Sequence, residues 1–263
     1  ATQSGTGSAM NLQDLRERFV TEGRKLPAAV RRQLESDERA GAKAILKSVD
    51  GKARRNRAEG QRLRKMLRFE RELWSSGTGL VAGVDEAGMS PLAGPVVAAA
   101  VILPVGCRIA RVDDSKKLPA ALRYELADTI RATAVSHGIG WVWPHEIDEL
   151  NIYYAGLLAM KRAIAALDPQ PEVLLVDGRP MPDPPYPHTP LVKGDSRSLS
   201  IAAASILAKT TRDSRMVEYD AEFPGYGLAK HKGYPVAAHK AALIKLGATP
   251  IHRRSFEAVK AVL

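Results

Sequence analysis

Apolar residues recur at helical spacing through about the first 75 residues of the chain. The pattern predicts four helices: one carrying Leu12, Leu15 and Phe19, one opened by Pro27, a short one over Asp37–Leu46 and an amphipathic one over Gly60–Trp74. Because no strand pattern interrupts them, this part of the chain is predicted to be all-helical.

The pattern changes after Gly79, where short apolar runs flanked by glycine and proline alternate with longer helical segments. Predicted strands cover Leu80–Asp85, Val96–Leu103, Gly138–Val142 and Val173–Asp177. Predicted helices cover Ala120–His137, Asn151–Leu167, Ser198–Tyr219 and Val236–Leu246, and the proline-rich Arg179–Pro190 is predicted to be a loop. This alternation indicates an α/β domain with a mixed sheet flanked by helices.

Positive charge is concentrated at the start of the chain. Up to Glu72 there are 18 Lys and Arg against 10 Asp and Glu, which accounts for +8 of the net charge of +10. Ser75–Gly79 reads as a linker. We therefore expect a basic helical extension over 10–75 and an α/β domain with a C-terminal helical region over 80–263. Residues 1–9 are interpreted either as a tag or disordered tail ahead of Met10, or as part of the natural chain.

The charge predicts an anionic partner, and nucleic acid is the commonest such partner. The extension has two interpretations: a helical segment packed by its apolar stripes, or a basic arm that holds a phosphate backbone. The second rests on the densest cationic run, which comprises Arg54, Arg55, Arg57, Arg62, Arg64 and Lys65.

Composition excludes several classes of protein. A single cysteine, Cys107, excludes an internal disulfide and a Cys-rich zinc site. There is no run of about 18 apolar residues that could span a membrane and no signal-peptide pattern. We expect a cytoplasmic protein without a membrane partner.

Acidic residues fall where predicted strands end. Asp85 and Glu86 end one strand, Asp177 ends another, and Asp195 precedes the long helix. Carboxylates gathered at one sheet edge repel one another and suit hard cations such as Mg²⁺ or Mn²⁺. Two such ions can support phosphodiester hydrolysis. The alternatives are that Asp195 caps the helix starting near Ser196 and that the strand-end acids face solvent.

Seven ordered motifs between Leu80 and Phe256 resemble the type 2 ribonucleases H, the ribonuclease HII family. The signature is Gly83-Val84-Asp85-Glu86-Ala87-Gly88 with Pro91-Leu92-Ala93-Gly94-Pro95-Val96. The others are Asp113–Leu118, Leu175–Gly178, Val192–Ser196, Ala203–Lys209, His231–Pro235 and His252–Phe256. The helical extension also resembles the longer bacterial members.

The resemblance implies a ribonuclease H-like sheet and a metal-dependent endoribonuclease. It implies that Asp85, Glu86, Asp177 and Asp195 are the catalytic metal ligands for two Mn²⁺ or Mg²⁺ ions. Implied substrate contacts are Gly88, Met89, Ser90, Lys116, Lys209 and Tyr234, with Lys116 and Lys209 at phosphates and Tyr234 at the sugar beside the cut. His252 and Arg253 are expected to anchor structure or touch the backbone.

One tripeptide departs from the family pattern. Gly88-Met89-Ser90 stands where the family has Gly-Arg-Gly, which grips the ribonucleotide at an RNA–DNA junction. The arginine charge is absent, and Ser90 adds a side chain where backbone would approach the 2′-hydroxyl. We expect hydrolysis to persist and cleavage at single ribonucleotides to be impaired.

Three functions compete at this point. The leading one is endonucleolytic cleavage of RNA in RNA–DNA hybrids or ribonucleotide-containing duplex DNA, leaving 3′-hydroxyl and 5′-phosphate ends and serving DNA replication and repair. The second is a hybrid-binding protein with little residual catalysis, and the third is a related metal nuclease acting on DNA junctions. The sequence identifies no protein partner.

Overall fold

The computed structural model describes residues 11–263, so the expectation for residues 1–9 lies outside the described part. The chain divides into two compact units, and the division falls after Arg62. Helix α1 (Leu12–Arg16) continues as a π-helical turn over Glu17–Thr21, and α2 (Ala28–Glu35) and α3 (Ala40–Met66) follow. The first unit is built on buried Leu34, Ala42 and Ile45.

The predicted separation of helices Asp37–Leu46 and Gly60–Trp74 is wrong. One 27-residue helix, α3, runs through both, and a short break at Leu67 precedes α4 (Arg68–Ser75). Residues 47–59 carry almost no apolar side chains, so they show no amphipathic period. They are rich in Ala, Lys and Arg, which favour helix by intrinsic propensity.

The packing boundary differs from the composition boundary. Leu63, Met66 and Leu67 are buried in the core of the second unit, together with residues of its sheet and helices. The last turns of α3 and all of α4 therefore belong structurally to the α/β unit, although their charge resembles that of the preceding helices.

The second unit contains a five-stranded sheet in the order β3-β2-β1-β4-β5. Its strands are β1 (Val81–Ala87), β2 (Val96–Ile102), β3 (Ser136–Val142), β4 (Val173–Asp177) and β5 (His188–Leu191). The β1–β2 and β2–β3 pairs are antiparallel, whereas β1–β4 and β4–β5 are parallel. The predicted mixed sheet is confirmed.

Helices cover both faces of the sheet. Their bounds are α5 (Ala120–Thr133), α6 (Pro144–Leu150), α7 (Ile152–Ala165), α8 (Leu199–Glu222), α9 (Leu228–His231), α10 (Ala237–Leu246) and α11 (Glu257–Lys260). In β2, Ala99 and Val101 pack with α5 and α8, while Ala98 and Ala100 pack with α7. This alternation is the two-residue period of a strand buried on both faces.

Two predicted boundaries need correction. The segment Arg179–Pro190 is not all loop, because β5 begins at His188 and includes Pro190. Proline lacks a ladder donor and is tolerated in an edge strand, so its presence hid the strand. His137 lies in β3 and not in the preceding helix, which ends at Thr133, and helix α6 was not predicted.

Helix α8 lies directly against β1, the strand that carries two of the predicted ligands. A Cβ atom on Gly83 would stand 2.1 Å from the backbone carbon of Ser200. Only glycine permits this approach. The close contact sets the position of α8 relative to the end of β1. Among residues 11–263, no helix has the length and hydropathy of a membrane span.

Candidate active site

Three of the predicted ligands lie at one edge of the sheet. Val84 of β1 pairs with Val176 of the parallel strand β4, so Asp85 and Asp177 are the next residues on neighbouring strands. Glu86 follows Asp85. Asp85 is only 5% exposed, which excludes the alternative that this strand-end acid faces solvent.

Asp195 joins this edge through the connection between β5 and α8. It lies in a 3₁₀ turn over Gly194–Ser196, and the Gly194 N–H donates to Asp177 Oδ1 at 2.5 Å. The cap of α8 is Ser198, whose Oγ accepts from the Ile201 N–H at 3.2 Å. The alternative that Asp195 is the helix cap is therefore wrong, and Asp195 is itself only 8% exposed.

The acids interact electrostatically. Burial raises the pKa of Asp85 well above its usual value, and the charges of Glu86 and Asp177 raise it further. Burial and then Asp177 raise the pKa of Glu86 to about 7. The pKa of Asp195 is also raised, by burial and by Asp114 and Asp177. A cluster that ionises with such difficulty needs compensating positive charge.

Lys116 supplies part of that charge. Burial acts to lower its pKa, but the carboxylates of Asp85 and Asp195 raise it, so the ammonium group lies in the field of the acids. A hydrogen bond from Ser205 of α8 to the Asp85 carboxylate acts in the opposite direction and lowers the pKa of Asp85. Ser205 Oγ lies 2.9 Å from Ser115 Oγ, next to Lys116, so one hydroxyl pair links the lysine segment to the acid.

The carboxylates lie near one another, but their side chains do not converge on a single metal position. In the described part of the chain, no three His, Cys, Asp or Glu side chains already form a group that could hold a metal ion. The donor set is nevertheless all oxygen, buried and mutually repelling, which fits a hard divalent cation.

Glu70 of α4 is a further acid at this end of α8, and the sequence interpretation missed it. It is 1% exposed, and its Oε1 accepts from Ser198 Oγ at 2.6 Å, Ser200 N at 2.9 Å and Ser200 Oγ at 2.7 Å. These bonds fasten the start of α8, directly after the turn that carries Asp195. Glu70 lies in the helical extension predicted from the sequence, and only its burial distinguishes it from neighbouring exposed acids.

Two buried arginines hold the backbone of the altered tripeptide and of the residues that follow it. Arg253 donates to the carbonyls of Gly88 at 2.6 Å, Met89 at 3.2 Å and Gly94 at 3.0 Å, which confirms its expected anchoring role. Arg212 donates to the carbonyls of Pro95 at 2.9 Å and of Ala93 and Lys232 at 3.0 Å. Arg212 was not predicted, because nothing in its local sequence marks it as buried.

Gly88 itself requires glycine. Its φ is +96°, and a Cβ there would stand 2.3 Å from Arg212 Nε. The position is therefore closed to any side chain. Ser90, two residues later, is exposed and has no such backbone strain.

Met89 packs inward and lines a cleft beside the acids. The cleft has a volume of about 240 Å³, and Glu86, Tyr153, Asp177 and Arg179 are among its other lining residues. Met89 lies over Gly156 of α7, where a Cβ would be 3.0 Å from the methionine Cε. The methionine thus presents an apolar surface within reach of two candidate ligands.

Lys209, near the middle of α8, lies beside Tyr234. Lys209 Nζ is 2.7 Å from Asp213 Oδ1 and 5.4 Å from the centre of the Tyr234 ring. The structure therefore brings these two predicted contacts to each other. Lys209 is neutralised by an ion pair, unlike the exposed Lys116.

Comparison with known proteins matches residues 82–259 to the family model of ribonuclease HII and residues 12–74 to that of the ribonuclease HII N-terminal domain. The ribonuclease HII of Myxococcus xanthus (strain DK1622) is 53% identical over 253 residues, 96% of this chain and 86% of that protein. The ribonuclease HII of Anaeromyxobacter sp. (strain Fw109-5) is 54% identical over 254 residues, 97% and 81% respectively.

The fold is similar to that of a solved relative. The crystal structure of ribonuclease H2 from Pyrococcus horikoshii OT3 matches with a TM-score of 0.58 and 25% identity, covering 69% of this chain and 96% of that one. Fold and relatives together define a nuclease, an enzyme that hydrolyses phosphodiester bonds. The chain belongs to the ribonuclease HII family. The family resemblance and the ribonuclease H-like fold predicted from the sequence are confirmed.

Proposed function

We propose that this chain cuts the RNA strand of RNA–DNA hybrids and of ribonucleotide-containing duplex DNA, leaving 3′-hydroxyl and 5′-phosphate ends. The observation that carries the proposal is the buried cluster of Asp85, Glu86, Asp177 and Asp195 at one sheet edge. Family membership supports the reaction class. The net charge of +10 supports a nucleic-acid substrate.

Two Mn²⁺ or Mg²⁺ ions are proposed to be held by the four acids. When bound, such ions activate the attacking water and stabilise the leaving oxygen. The chain's own part is to present ionised oxygen ligands, and the raised pKa values of Asp85 and Glu86 mean that cation binding competes with protons there. The ligand set would be completed by side-chain rotation, since the carboxylates are close but not yet convergent.

The remaining predicted residues are proposed to hold the nucleic acid. Lys116, exposed beside the acids, would contact a phosphate oxygen through a charge-assisted hydrogen bond. Gly88, Met89 and Ser90 would face the sugar at the cut. Tyr234 would stack on the neighbouring sugar, with Lys209 held beside it by Asp213.

A cleavage assay with three labelled duplexes tests the substrate and the metal. We expect the RNA–DNA hybrid to be cut in Mn²⁺ or Mg²⁺ and to be left intact in EDTA, because the acids cannot act without compensating cations. DNA and RNA duplexes of the same sequence should remain uncut. Cleavage of the DNA duplex, or equal cleavage of the hybrid in EDTA, would contradict the proposal.

The helical extension over 10–75 is proposed to be a basic arm for the phosphate backbone. Arg54, Arg55 and Arg57 are all exposed on α3 in the first unit. Each phosphate contact releases counterions and steepens the salt dependence of binding by about 0.9 in log–log slope. We expect changing all three arginines to Gln to reduce the steepness of that log–log slope by about 2–3 and to weaken binding of the hybrid. Fluorescence anisotropy titrations at salt concentrations from about 50 to about 200 mM measure both quantities.

Charge neutralisation is a cleaner test than truncation. Deleting residues through Trp74 would also remove Leu67 and Glu70 from the core of the second unit. The matched control changes three exposed lysines near the C-terminus to Gln: Lys240, Lys245 and Lys260. An equal loss of slope in the control would show that the effect comes from net charge and not from the arm.

A further inference from the structure

Two buried histidines lie directly behind the loop that carries Tyr234. His239 of α10 is fully buried and His252 is 1% exposed. His239 Nδ1 is 3.0 Å from the carbonyl oxygen of Tyr234, and His239 Nε2 is 3.2 Å from His252 Nε2. His252 Nδ1 in turn lies 3.0 Å from the Thr249 amide nitrogen.

The Thr249 N–H, at one end of this series of hydrogen bonds, fixes the direction of every bond in it. The Thr249 N–H can only donate, so His252 Nδ1 must be the acceptor and carry no proton, and the Thr249 hydroxyl, 2.8 Å from the same nitrogen, is then a second donor to it. The proton of the neutral His252 ring is then on Nε2, which donates to His239 Nε2. His239 must therefore carry its own proton on Nδ1, which donates to the Tyr234 carbonyl.

Both rings must be neutral for this arrangement to hold. A protonated His252 would direct an N–H at the Thr249 N–H, and a protonated His239 would direct one at His252. The surroundings agree, since burial lowers the pKa of His252 to about 4 and also lowers that of His239. The relay is therefore a fixed structural element at neutral pH.

The same loop is attached to the residues that follow the altered tripeptide. The Leu92 N–H donates to the Gly233 carbonyl at 2.8 Å, and Arg212 bridges the carbonyls of Ala93 and Lys232. Lys232 has a positive φ of 54°, a backbone conformation that a residue with a side chain seldom adopts. External bonds such as the histidine relay are what hold such a shape.

We propose that His239 and His252 are positioning residues, which orient the Tyr234 peptide through a directional relay from Thr249 and thereby set the tyrosine for the ribose at the cut. This inference rests on the proposed role of Tyr234. It assigns to two histidines outside the acidic cluster a function in recognition of the sugar.

The tautomers can be measured without any substitution. In ¹⁵N-histidine NMR spectra at pH 7, His252 should be the neutral Nε2–H form and His239 the neutral Nδ1–H form. The opposite tautomer at either ring, or a charged ring, would overturn the relay. This measurement is independent of whether the protein cuts hybrids.

Substitutions then test the link to Tyr234. His239→Leu removes the donor and should lower kcat on a hybrid about tenfold while changing the Kd for the hybrid less than twofold. His239→Asn keeps a side-chain N–H near the Nδ1 position and should restore activity to within about threefold. His137→Leu, at an exposed histidine of β3, is the matched control and should have no effect.

A double-substitution cycle separates positioning from general destabilisation. If His239 acts through the tyrosine, His239→Leu should cost less than twofold in a Tyr234→Ala background. Equal losses in both backgrounds would overturn the inference, as would full activity of Tyr234→Ala. Should His239→Leu fail to fold, the NMR tautomers and His239→Asn decide the question.

Discussion

Asp85→Asn and Asp177→Asn should each reduce cleavage of an RNA–DNA hybrid by at least about a thousandfold, equivalent to about 4 kcal/mol of transition-state stabilisation. Each change removes one ligand charge from a cluster that is proposed to work as a unit. Hybrid binding should survive within a few-fold, because the basic surface is untouched. Cleavage rates and anisotropy titrations measure the two quantities separately.

The matched control is Asp183→Asn, at an exposed aspartate outside the cluster, which should cleave at the normal rate. Cleavage within a few-fold of the unmodified protein by either cluster variant would show that the four acids are not the metal ligands. Loss of hybrid binding together with loss of cleavage would instead point to misfolding.

The same Asp85→Asn variant should be more stable than the parent protein in EDTA at pH 8. The pKa of Asp85 in the folded protein lies above the ordinary pKa that it has in the unfolded chain, so folding opposes its ionisation. The resulting loss of stability grows as the pH rises from the ordinary pKa through the folded-state pKa. Asparagine has no such cost. At pH 8 we expect the thermal unfolding midpoint of the variant to be higher by at least about 2–4 °C, which corresponds to about 1 kcal/mol in the free energy of unfolding. Near pH 3 the two proteins should have the same midpoint.

The acids could be predicted because their signal is local. Asp85, Glu86 and Asp177 each follow an apolar run, and strand pairing alone then brings them to one edge of the sheet. The mixed sheet was predictable for a similar reason, since buried strands and helices differ in length and period. The ligand role of the acids stays a prediction, because their proximity does not establish that they bind a cation.

The features that could not be predicted from the sequence are those that depend on the burial of polar residues. Arg212 is fully buried, yet its sequence surroundings resemble those of a surface arginine. Its partners are backbone carbonyls, which leave no trace in residue identity. Glu70 and the continuous helix α3 were missed likewise, because polar residues report neither a buried contact nor a helix stabilised by propensity alone.

Restoring the family tripeptide should change substrate preference. We expect the protein as it stands to cut a single ribonucleotide in duplex DNA poorly relative to a long hybrid, since Met89 offers no charge to the junction. A charge-assisted hydrogen bond contributes about 1.5–3 kcal/mol. A long hybrid compensates through many backbone contacts, whereas a single ribonucleotide presents one 2′-hydroxyl.

Met89→Arg with Ser90→Gly should therefore raise cleavage at a single ribonucleotide by about tenfold or more, because about 1.4 kcal/mol is a factor of ten in rate. The backbone can accept this change: Arg253 holds the Gly88 and Met89 carbonyls, and Ser90 is exposed without strain. The new guanidinium would line the cleft with Glu86 and Asp177, so the assay is run over a range of Mn²⁺ concentrations. Met89→Leu is the control, since it keeps the apolar contact and adds no charge. If the parent protein cleaves both substrates equally and the double change brings no improvement, another residue must bind the ribonucleotide at the junction. Arg179, which lines the same cleft, would be the first residue to test.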